Sequence, residues 1–146
     1  MSRAFIDANV FLYALGATHP LRAPCRRIVE LIAAGRLTGE SSVEVVREFL
    51  HVRLRRSARR SEALARAEEV VAICHQVHAF ELRDLERAFE LAQRHPRLGA
   101  RDAAHAATAL NRGIAAIVSA DRHFDGIPGL ERVDPTNEAS LAQLAG

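Results

Sequence analysis

The stretch Phe5-Ile6-Asp7-Ala8-Asn9-Val10 begins with two apolar residues and becomes polar at Asp7, as expected where a buried strand ends. Residues 114–118 are also apolar, and Ser119-Ala120-Asp121 follows them. Because helical segments separate the strands, we predict parallel pairing with right-handed crossovers. Ligands of an open parallel sheet bind outside the carboxyl ends of its strands. Asp7 and Asp121 are therefore expected at such an edge.

Four acidic residues are predicted to meet at this edge of the sheet: Asp7, Glu48, Asp102 and Asp121. Each lies beside the end of a predicted strand or on a helix that flanks it. Carboxylates brought together repel one another, and they persist mainly where a hard cation neutralises them. A set of oxygen ligands suits Mg²⁺ or Mn²⁺ better than Zn²⁺. The sequence therefore predicts a metal-dependent enzyme that acts on phosphates.

Length and composition indicate one domain over residues 1–146, because 49% of the 146 residues are apolar, enough for a sizeable core. With a net charge of only +2, any nucleic-acid contact must come from a local basic cluster. Cys25 and Cys74 lack metal-ligand spacing and are expected to be reduced thiols of a cytoplasmic protein. No signal peptide is visible, and no apolar run approaches the ~18 residues of a membrane span.

Strands and helices are predicted to alternate, which indicates a three-layer α/β/α fold with a short central parallel sheet. Apolar runs predict strands over residues 3–7, 37–38, 77–80, 115–119 and 131–133. Caps and helical periodicity predict helices over residues 9–16, 20–34, 42–54, 61–76, 82–94 and 101–112. Ser61 is the expected N-cap of the fourth helix, and the tail after Pro135 is expected to be partly mobile.

Helical geometry selects Glu48 over Glu44 as the acid of the third helix. At about 100° per residue, the apolar side chains of this helix form one broad arc: Val43, Val45, Val46, Phe49, Leu50, Val52 and Leu54. Glu48 lies at the border of the arc and can reach a groove beside the core, whereas Glu44 points to solvent. Arg53 projects into the arc, so either the helix frays there or this face contacts a partner chain.

Each acid also has a purely structural interpretation. Asp7 is placed to cap the following helix, and Asp102 lies in a first helical turn, where the macrodipole favours an anion. Asp121 and Asp125 both fit turn positions. The alanines around Asp102 favour its functional interpretation, because they let this helix approach the sheet closely. Asp125 is either a supporting group of the site or only a turn residue.

Three polar residues are expected beside the acids. Asn9 supports the helix start or a coordinated water, and Ser119 orients an acid by a hydrogen bond. His105 follows Asp102 by three residues, which allows two ligands on one metal, although a hydrogen-bonding packing role is preferred. Neither cysteine belongs to a nucleophilic dyad, because both lie in apolar helical patterns.

A basic cluster follows the third helix and consists of Arg53, Arg55, Arg56, Arg59 and Arg60. It is either an ordinary solvated helix end or a contact for an RNA backbone or an acidic partner segment.

Four segments resemble, in order, the motifs of PIN-domain ribonucleases: residues 5–10 (FIDANV), 42–49 (SVEVVREF), 100–109 (ARDAAHAATA) and 118–124 (VSADRHF). The resemblance covers nearly the whole chain, and its compact form is similar to the VapC-type toxins of bacterial toxin–antitoxin pairs. It implies a PIN-like fold, metal-dependent endoribonuclease activity on RNA, a homodimer and inhibition by a cognate antitoxin protein.

The expected metal ligands are Asp7 and Asp102, with Glu48 and Asp121 binding directly or through water. Two other functions remain open at this point. A receiver-like phosphoacceptor domain needs a late lysine, and this chain contains no lysine. A non-catalytic PIN-like module that binds RNA or protein would keep the fold but not the full set of acids.

Overall fold

The computed structural model describes residues 2–57 and 59–146, and its centre is a sheet of five parallel strands. The strands are β1 (Arg3–Ile6), β2 (Thr38–Ser42), β3 (Gln76–His78), β4 (Ala116–Val118) and β5 (Glu131–Val133). Their order across the sheet is β3-β2-β1-β4-β5. The predicted α/β/α fold with a short parallel sheet is confirmed.

Helices flank this sheet and connect its strands: α1 (Ala8–Ala14), α2 (Arg22–Ala33), α3 (Val43–Arg56), α4 (Arg60–Ile73), α5 (Leu82–Arg94), α6 (Ala100–Asn111) and α7 (Glu138–Ala145). A short 3₁₀ helix (Arg122–Phe124) follows β4. Within residues 2–57 and 59–146, none of the helices combines the length and the apolar character needed to span a bilayer.

Strands β1 and β4 are neighbours, and their register brings two candidate site residues together. Ile6 pairs with Val118, so that Asp7 and Ser119 leave adjacent strands at the same edge. The Asp7 amide donates to the Val118 carbonyl over 3.1 Å, which holds the two chain segments in place. The carboxyl ends of these two strands therefore begin the candidate site, as the sequence predicted.

Strand β2 is longer than predicted and covers the polar residues Thr38–Ser42 rather than residues 37–38. Glu40 is 2% exposed, and its carboxylate accepts hydrogen bonds from His78 Nε2 over 2.8 Å and Arg3 Nη2 over 3.1 Å. Burial raises the pKa of Glu40, but the hydrogen bonds from Arg3 and His78 outweigh burial and hold this pKa below its usual value. Paired in this way, a charged residue is accommodated in the sheet.

Gly39 lets α2 pack closely on β2. A Cβ atom at this position would lie 2.4 Å from Ile32 Cδ1, far inside van der Waals contact. The absence of a side chain at Gly39 therefore permits the close approach of the helix to the strand.

Helices α3 and α4 differ from the prediction at their ends. Helix α3 continues to Arg56 without fraying at Arg53, and Val43 of the predicted apolar arc is 47% exposed. Ser61 lies inside α4 and is not its N-cap, because the helix begins at Arg60 after Arg59. Ser57 organises this turn instead, since its hydroxyl donates to the Arg59 carbonyl over 2.9 Å and accepts from the Arg59 amide over 3.1 Å.

The last helix, α7, was not predicted. Within the tail after Pro135, which was expected to be partly mobile, residues 138–145 form a helix that Asn137 caps by accepting from the Ser140 amide. Leu141 packs into the core and is 3% exposed. A single buried leucine on a short helix is too weak a periodic signal to recognise in a sequence.

Candidate active site

The four predicted acids approach one another at the carboxyl edge of the sheet. Asp7 follows β1, Glu48 lies in the middle of α3, Asp102 is in the first turn of α6, and Asp121 precedes the 3₁₀ helix after β4. Ligand atoms of Asp7, Glu48 and His105 lie within 4.8 Å of one another. A second group with the same spacing comprises Asp102, Asp121 and His123. We refer to these acids as the acid cluster.

Asp7 is held by a network of short hydrogen bonds. It is 3% exposed, and its Oδ2 accepts from the Ser119 hydroxyl over 2.7 Å and from Asn9 Nδ2 over 3.0 Å. Asn9 Nδ2 also donates to Ser119 Oγ, and Asn9 Oδ1 accepts from the Ala120 amide. Asn9 and Ser119 therefore orient Asp7, and the side-chain oxygen of Asn9 is already engaged by the protein.

The structural interpretation of Asp7 is also correct. Asp7 is the N-cap of α1, and its Oδ1 accepts from the Ala8 amide over 2.8 Å. Each carboxylate oxygen offers two lone pairs, so one hydrogen bond to Oδ1 leaves that atom able to bind a cation. Capping and ligand binding are thus compatible roles for this one carboxylate.

Glu48 is fixed by His105. His105 is 1% exposed, and its Nε2 donates to Glu48 Oε1 over 3.1 Å. Burial raises the pKa of Glu48, but the hydrogen bond and charge of His105, together with Arg101, outweigh burial and lower this pKa. The hydrogen-bonding role preferred for His105 agrees with this geometry. Within residues 2–57 and 59–146, the buried Nδ1 of His105 has no hydrogen-bond partner.

The electrostatics of Asp7 and Asp102 differ from those of Glu48. Burial raises the pKa of Asp7 above its ordinary value, although His105 and Ser119 partly oppose this effect. Burial and the nearby charges of Asp7 and Asp121 raise the pKa of Asp102 to about 6. The protein alone therefore does not fully compensate these two negative charges, as expected where a cation completes a site.

His123 is a candidate site residue that the sequence analysis missed. Its Nδ1 lies 3.3 Å from Asp121 Oδ1 and 3.8 Å from Asp102 Oδ2. Asp121 Oδ1 accepts from the His123 amide over 2.9 Å, so this acid also caps the 3₁₀ helix. The spacing Asp121-x-His123 was the available signal, because a residue two positions after a cap folds back beside it.

A family model described as "PIN domain" matches residues 4–130 of this chain. This chain belongs to the PIN-domain family. Ribonuclease VapC7 of Mycobacterium tuberculosis is 37% identical over 142 residues, which is 97% of each chain. Ribonuclease VapC13 of the same organism is 31% identical over 129 residues, covering 88% of this chain and 97% of that protein.

A solved PIN-domain neighbour supports the fold. The structure of VapBC2 from Rickettsia felis, bound to a DNA fragment from its promoter, has a TM-score of 0.71 at 19% identity. The alignment covers 90% of this chain and 98% of the neighbouring chain. At 19% identity, this similarity shows a shared fold. The chemistry of the site is therefore argued from the residues of this chain.

The donors in the acid cluster of this PIN domain fit a hard divalent cation. Carboxylate oxygens predominate, and they are the preferred ligands of Mg²⁺ and Mn²⁺. The nitrogen of His105 nearest to the cluster already donates to Glu48, so it is not free to act as a ligand. The raised pKa of Asp102, about 6, reflects burial and repulsion that a bound cation would relieve.

Asp125, predicted as either a supporting group or a turn residue, belongs to neither of the two groups of close ligand atoms within the described residues. Its Oδ1 accepts from Arg132 Nε over 2.6 Å, and its side chain is half-exposed. Arg132 also donates to the Ser119 carbonyl and to Asp134, so one guanidinium holds Asp125 together with these two neighbours. A partner seven residues further along the chain could not be recognised from the turn pattern.

Two cavities adjoin the acid cluster. One, of about 600 Å³, is lined by Glu48, Asp102, Asp121, His123, Arg97 and Arg101. The other, of about 330 Å³, runs along α3 and is lined by Glu44, Arg47, Glu48, His51 and Arg101. Arginines thus line both cavities together with the acids, and arginine side chains are suited to contacting phosphates.

The predicted basic cluster separates into different environments. Arg55 and Arg56 are exposed and line a cavity of about 440 Å³ with His51, Val52 and Arg101. Arg53 is largely buried, with its side chain 16% exposed, and its Nη2 lies 3.6 Å from Glu62 of α4. Arg59 and Arg60 are exposed at the start of α4. Arg55 and Arg56 therefore border a cavity together with Arg101.

The two cysteines are unsuited to nucleophilic chemistry. Both are free thiols, and burial raises the pKa of Cys25 and of Cys74 to about 12. The thiolate is the reactive form, so the raised pKa disfavours nucleophilic chemistry of both residues at neutral pH.

Proposed function

We propose that this chain is a metal-dependent endoribonuclease that hydrolyses RNA phosphodiester bonds and acts as the toxin of a toxin–antitoxin pair. The observation that carries the proposal is the convergence of Asp7, Glu48, Asp102 and Asp121 from four separate elements. The relatives VapC7 and VapC13 are named ribonucleases, which supports the same activity. The full set of acids favours catalysis over a non-catalytic binding module.

In this proposal, Asp7 and Asp102 hold Mg²⁺ or Mn²⁺ directly, and Glu48 and Asp121 bind it directly or through water. When bound, a divalent cation makes a water more acidic and stabilises negative charge on the phosphodiester oxygens. Ser119 and Asn9 keep Asp7 in its orientation, and His105 does the same for Glu48. These contacts pre-organise the carboxylates before the substrate arrives.

The first prediction is RNA cleavage that depends on a divalent metal. We expect the purified chain to cleave members of a panel of structured and single-stranded RNAs with Mg²⁺ or Mn²⁺, and EDTA to stop the reaction. Cleavage is measured on end-labelled RNA, with circular dichroism in EDTA as the control for folding. An intact panel under both metals, from folded protein, would instead support the non-catalytic module.

The second prediction concerns the contribution of Arg55 and Arg56 to RNA binding. In an Asp7→Asn background, the double change to glutamine should weaken RNA binding and reduce its dependence on salt. Two lost phosphate contacts correspond to a decrease of about 1.4 in the slope of log K against log salt. The measurement is fluorescence anisotropy at several salt concentrations.

The matched control for this measurement changes Arg27 and Arg36 to glutamine. Both residues are exposed, and this double change removes as much positive charge as the change of Arg55 and Arg56. If the control pair weakens binding as much as the test pair does, only net charge matters. If the slope of log K against log salt is unchanged in the test pair, Arg55 and Arg56 do not contact RNA and are only the solvated end of a helix.

We also propose that the chain forms a homodimer and binds a cognate antitoxin protein. An exposed apolar face of α5 supports the dimer, since Leu82, Leu85 and Phe89 are 72%, 38% and 63% exposed. Their i, i+3, i+7 spacing places them on one side of the helix. Assignment to a single domain and to the cytoplasm stays a prediction.

The third prediction is that Phe89→Glu yields a monomer, because a charge on this face opposes its burial in an interface. Light scattering during size-exclusion chromatography measures the mass. Glu90→Gln, an exposed neighbour outside this face, is the control and should leave the mass unchanged. A Phe89→Glu protein with the mass of the unmodified protein would exclude this face as the dimer interface.

A further inference from the structure

A further cavity, of about 710 Å³, lies at the opposite end of α1 from Asp7, and we call it the arginine cavity. It is bordered by the carboxyl end of α1, by α2, by α4 and by the last turn of α3. Its charged lining residues are Arg22, Arg26, Arg53, Arg66, Glu30 and Glu62. Neither the acid cluster nor the proposed RNA contacts at Arg55 and Arg56 account for this concentration of arginines.

Two of these guanidinium groups lack hydrogen-bond partners for atoms that are shielded from solvent. In the part of the chain that the structure describes, Nε of Arg22 and Nε of Arg53 are buried and donate to no acceptor. Within residues 2–57 and 59–146, the acid that forms an ion pair with Arg53 is Glu62, and their distance of 3.6 Å is too long for a hydrogen bond. A buried donor without an acceptor is unfavourable, so both guanidinium groups are short of acceptors, and both side chains also line the cavity.

The other two arginines are partly engaged. Arg26 Nε donates to the Ala14 carbonyl over 3.1 Å, and Arg66 pairs with Glu69, which does not line the cavity. Glu30 is exposed and forms no ion pair within residues 2–57 and 59–146. Positive charge therefore exceeds the negative charge that the protein supplies at the cavity wall.

We propose that this cavity binds a phosphate-class oxyanion, either inorganic phosphate or the phosphoryl group of a small phosphorylated compound. Arg22 on α2 and Arg53 on α3 reach the cavity from different helices, and each carries a planar fork of donors that matches an oxyanion. A phosphate has more oxygens than a carboxylate, so one phosphate can accept from both guanidinium groups. The volume also leaves room for the compound that carries the phosphoryl group.

This proposal is independent of the proposed function and concerns a different end of the molecule. The acid cluster repels anions when metal is absent, whereas the arginine cavity is lined with arginines. Binding measured in EDTA therefore reports on the arginine cavity rather than on a metal held at Asp7 and Asp102. Failure of the RNA cleavage experiment would leave the anion measurement unaffected.

The experiment titrates the ¹⁵N-labelled full chain with sodium phosphate in EDTA, at an ionic strength kept constant with sodium chloride. We expect saturable shifts of the arginine Nε–H signals of Arg22 and Arg53. Arg22→Gln and Arg53→Gln should each weaken phosphate binding by at least ~tenfold, because a charge-assisted contact is lost. Arg27→Gln, an exposed change on α2 outside the cavity, should stay within ~twofold of the unmodified chain.

Parallel titrations separate the sources of the oxyanion and the competing explanation. If adenosine 5′-monophosphate binds more tightly than phosphate and adenosine does not bind, the ligand of the cavity is a phosphorylated compound. If phosphate binds more tightly than adenosine 5′-monophosphate, the ligand is free phosphate. Absence of saturable shifts with both ligands, or equal weakening by Arg27→Gln, overturns the proposal. Shifts caused by a poly-glutamate peptide but not by either phosphate ligand also overturn it, in favour of an acidic protein. The titration of the unmodified chain decides the matter even if a variant fails to fold.

Discussion

Asp7→Asn is expected to abolish most RNA cleavage while the protein remains folded. We expect a loss of at least ~10³-fold in kcat/KM, equivalent to about 4 kcal/mol of transition-state stabilisation. Asparagine retains an oxygen that caps α1 through the Ala8 amide, so the local structure of the helix start is preserved. It removes the charge that holds the cation in our proposal. Single-turnover cleavage at saturating metal measures the effect.

The matched control for Asp7→Asn is Asp125→Asn, which removes the same charge from an acid that pairs with Arg132 outside the cluster. This control should cleave RNA at nearly the rate of the unmodified protein. Substantial activity in Asp7→Asn would leave only the capping role for Asp7, and equal losses in both variants would point to a general effect of charge.

The same substitution should change the dependence of stability on pH in the absence of metal. Burial raises the pKa of Asp7, and burial with neighbouring charges raises that of Asp102 from 3.8 to about 6. An acid whose pKa is higher in the folded state contributes stability below its unfolded pKa, and this stability is lost as pH rises through the folded value. The contribution of Asp102 to the free energy of unfolding in EDTA should therefore fall between pH 3.8 and about 6, opposite in sign to the contributions of Glu40 and Glu48, whose pKa values are lowered. In the Asp7→Asn variant, the free energy of unfolding measured with urea should fall less steeply over this pH range, because the substitution removes one of the repelling acids.

The parts of the fold that the sequence predicted are those encoded by adjacent residues. Strand β4, helix α5 and strand β5 follow from apolar runs and caps a few residues apart, and they appear within about two residues of the prediction. Strand β2 does not follow from such a pattern, because Glu40 sits in the sheet only through Arg3 and His78, each more than 35 residues away. Long-range pairing of this kind overrides local propensity.

The candidate site shows the same division between local and distant information. Asp7 and Ser119 could be placed because both directly follow buried strands that are neighbours in the sheet. The pairing of Asp125 with Arg132 and the approach of His123 to Asp102 depend on how loops fold back, because the spacing Asp121-x-His123 indicates only the contact between those two residues. The helical projection identified Glu48 as the border acid, but it placed Glu44 too far into solvent.

Glu44 and Glu48 provide the sharpest internal comparison, because they carry the same charge one helical turn apart on α3. Both line the cavity along this helix, and their side chains are 24% and 18% exposed. Their partners differ: Glu44 pairs with the exposed Arg47, whereas Glu48 accepts from the buried His105 and lies within 4.8 Å of Asp7. Exposure alone therefore does not distinguish the two residues, and the identity of their neighbours does.

Glu48→Gln should lower RNA cleavage by at least ~100-fold, a loss of about 3 kcal/mol in transition-state stabilisation. Glutamine keeps a hydrogen-bonding oxygen for His105 but removes the charge that completes the acid cluster. Glu44→Gln loses only an exposed ion pair and should stay within ~0.5 kcal/mol of the unmodified protein in both activity and stability. Assays at limiting and saturating metal separate weaker metal binding from slower chemistry, since a loss through weaker binding is recovered at high metal. Equal losses at the two positions, or a larger loss at Glu44, would mean that Glu48 does not belong to the metal site and that cleavage depends on the charge of the α3 groove as a whole.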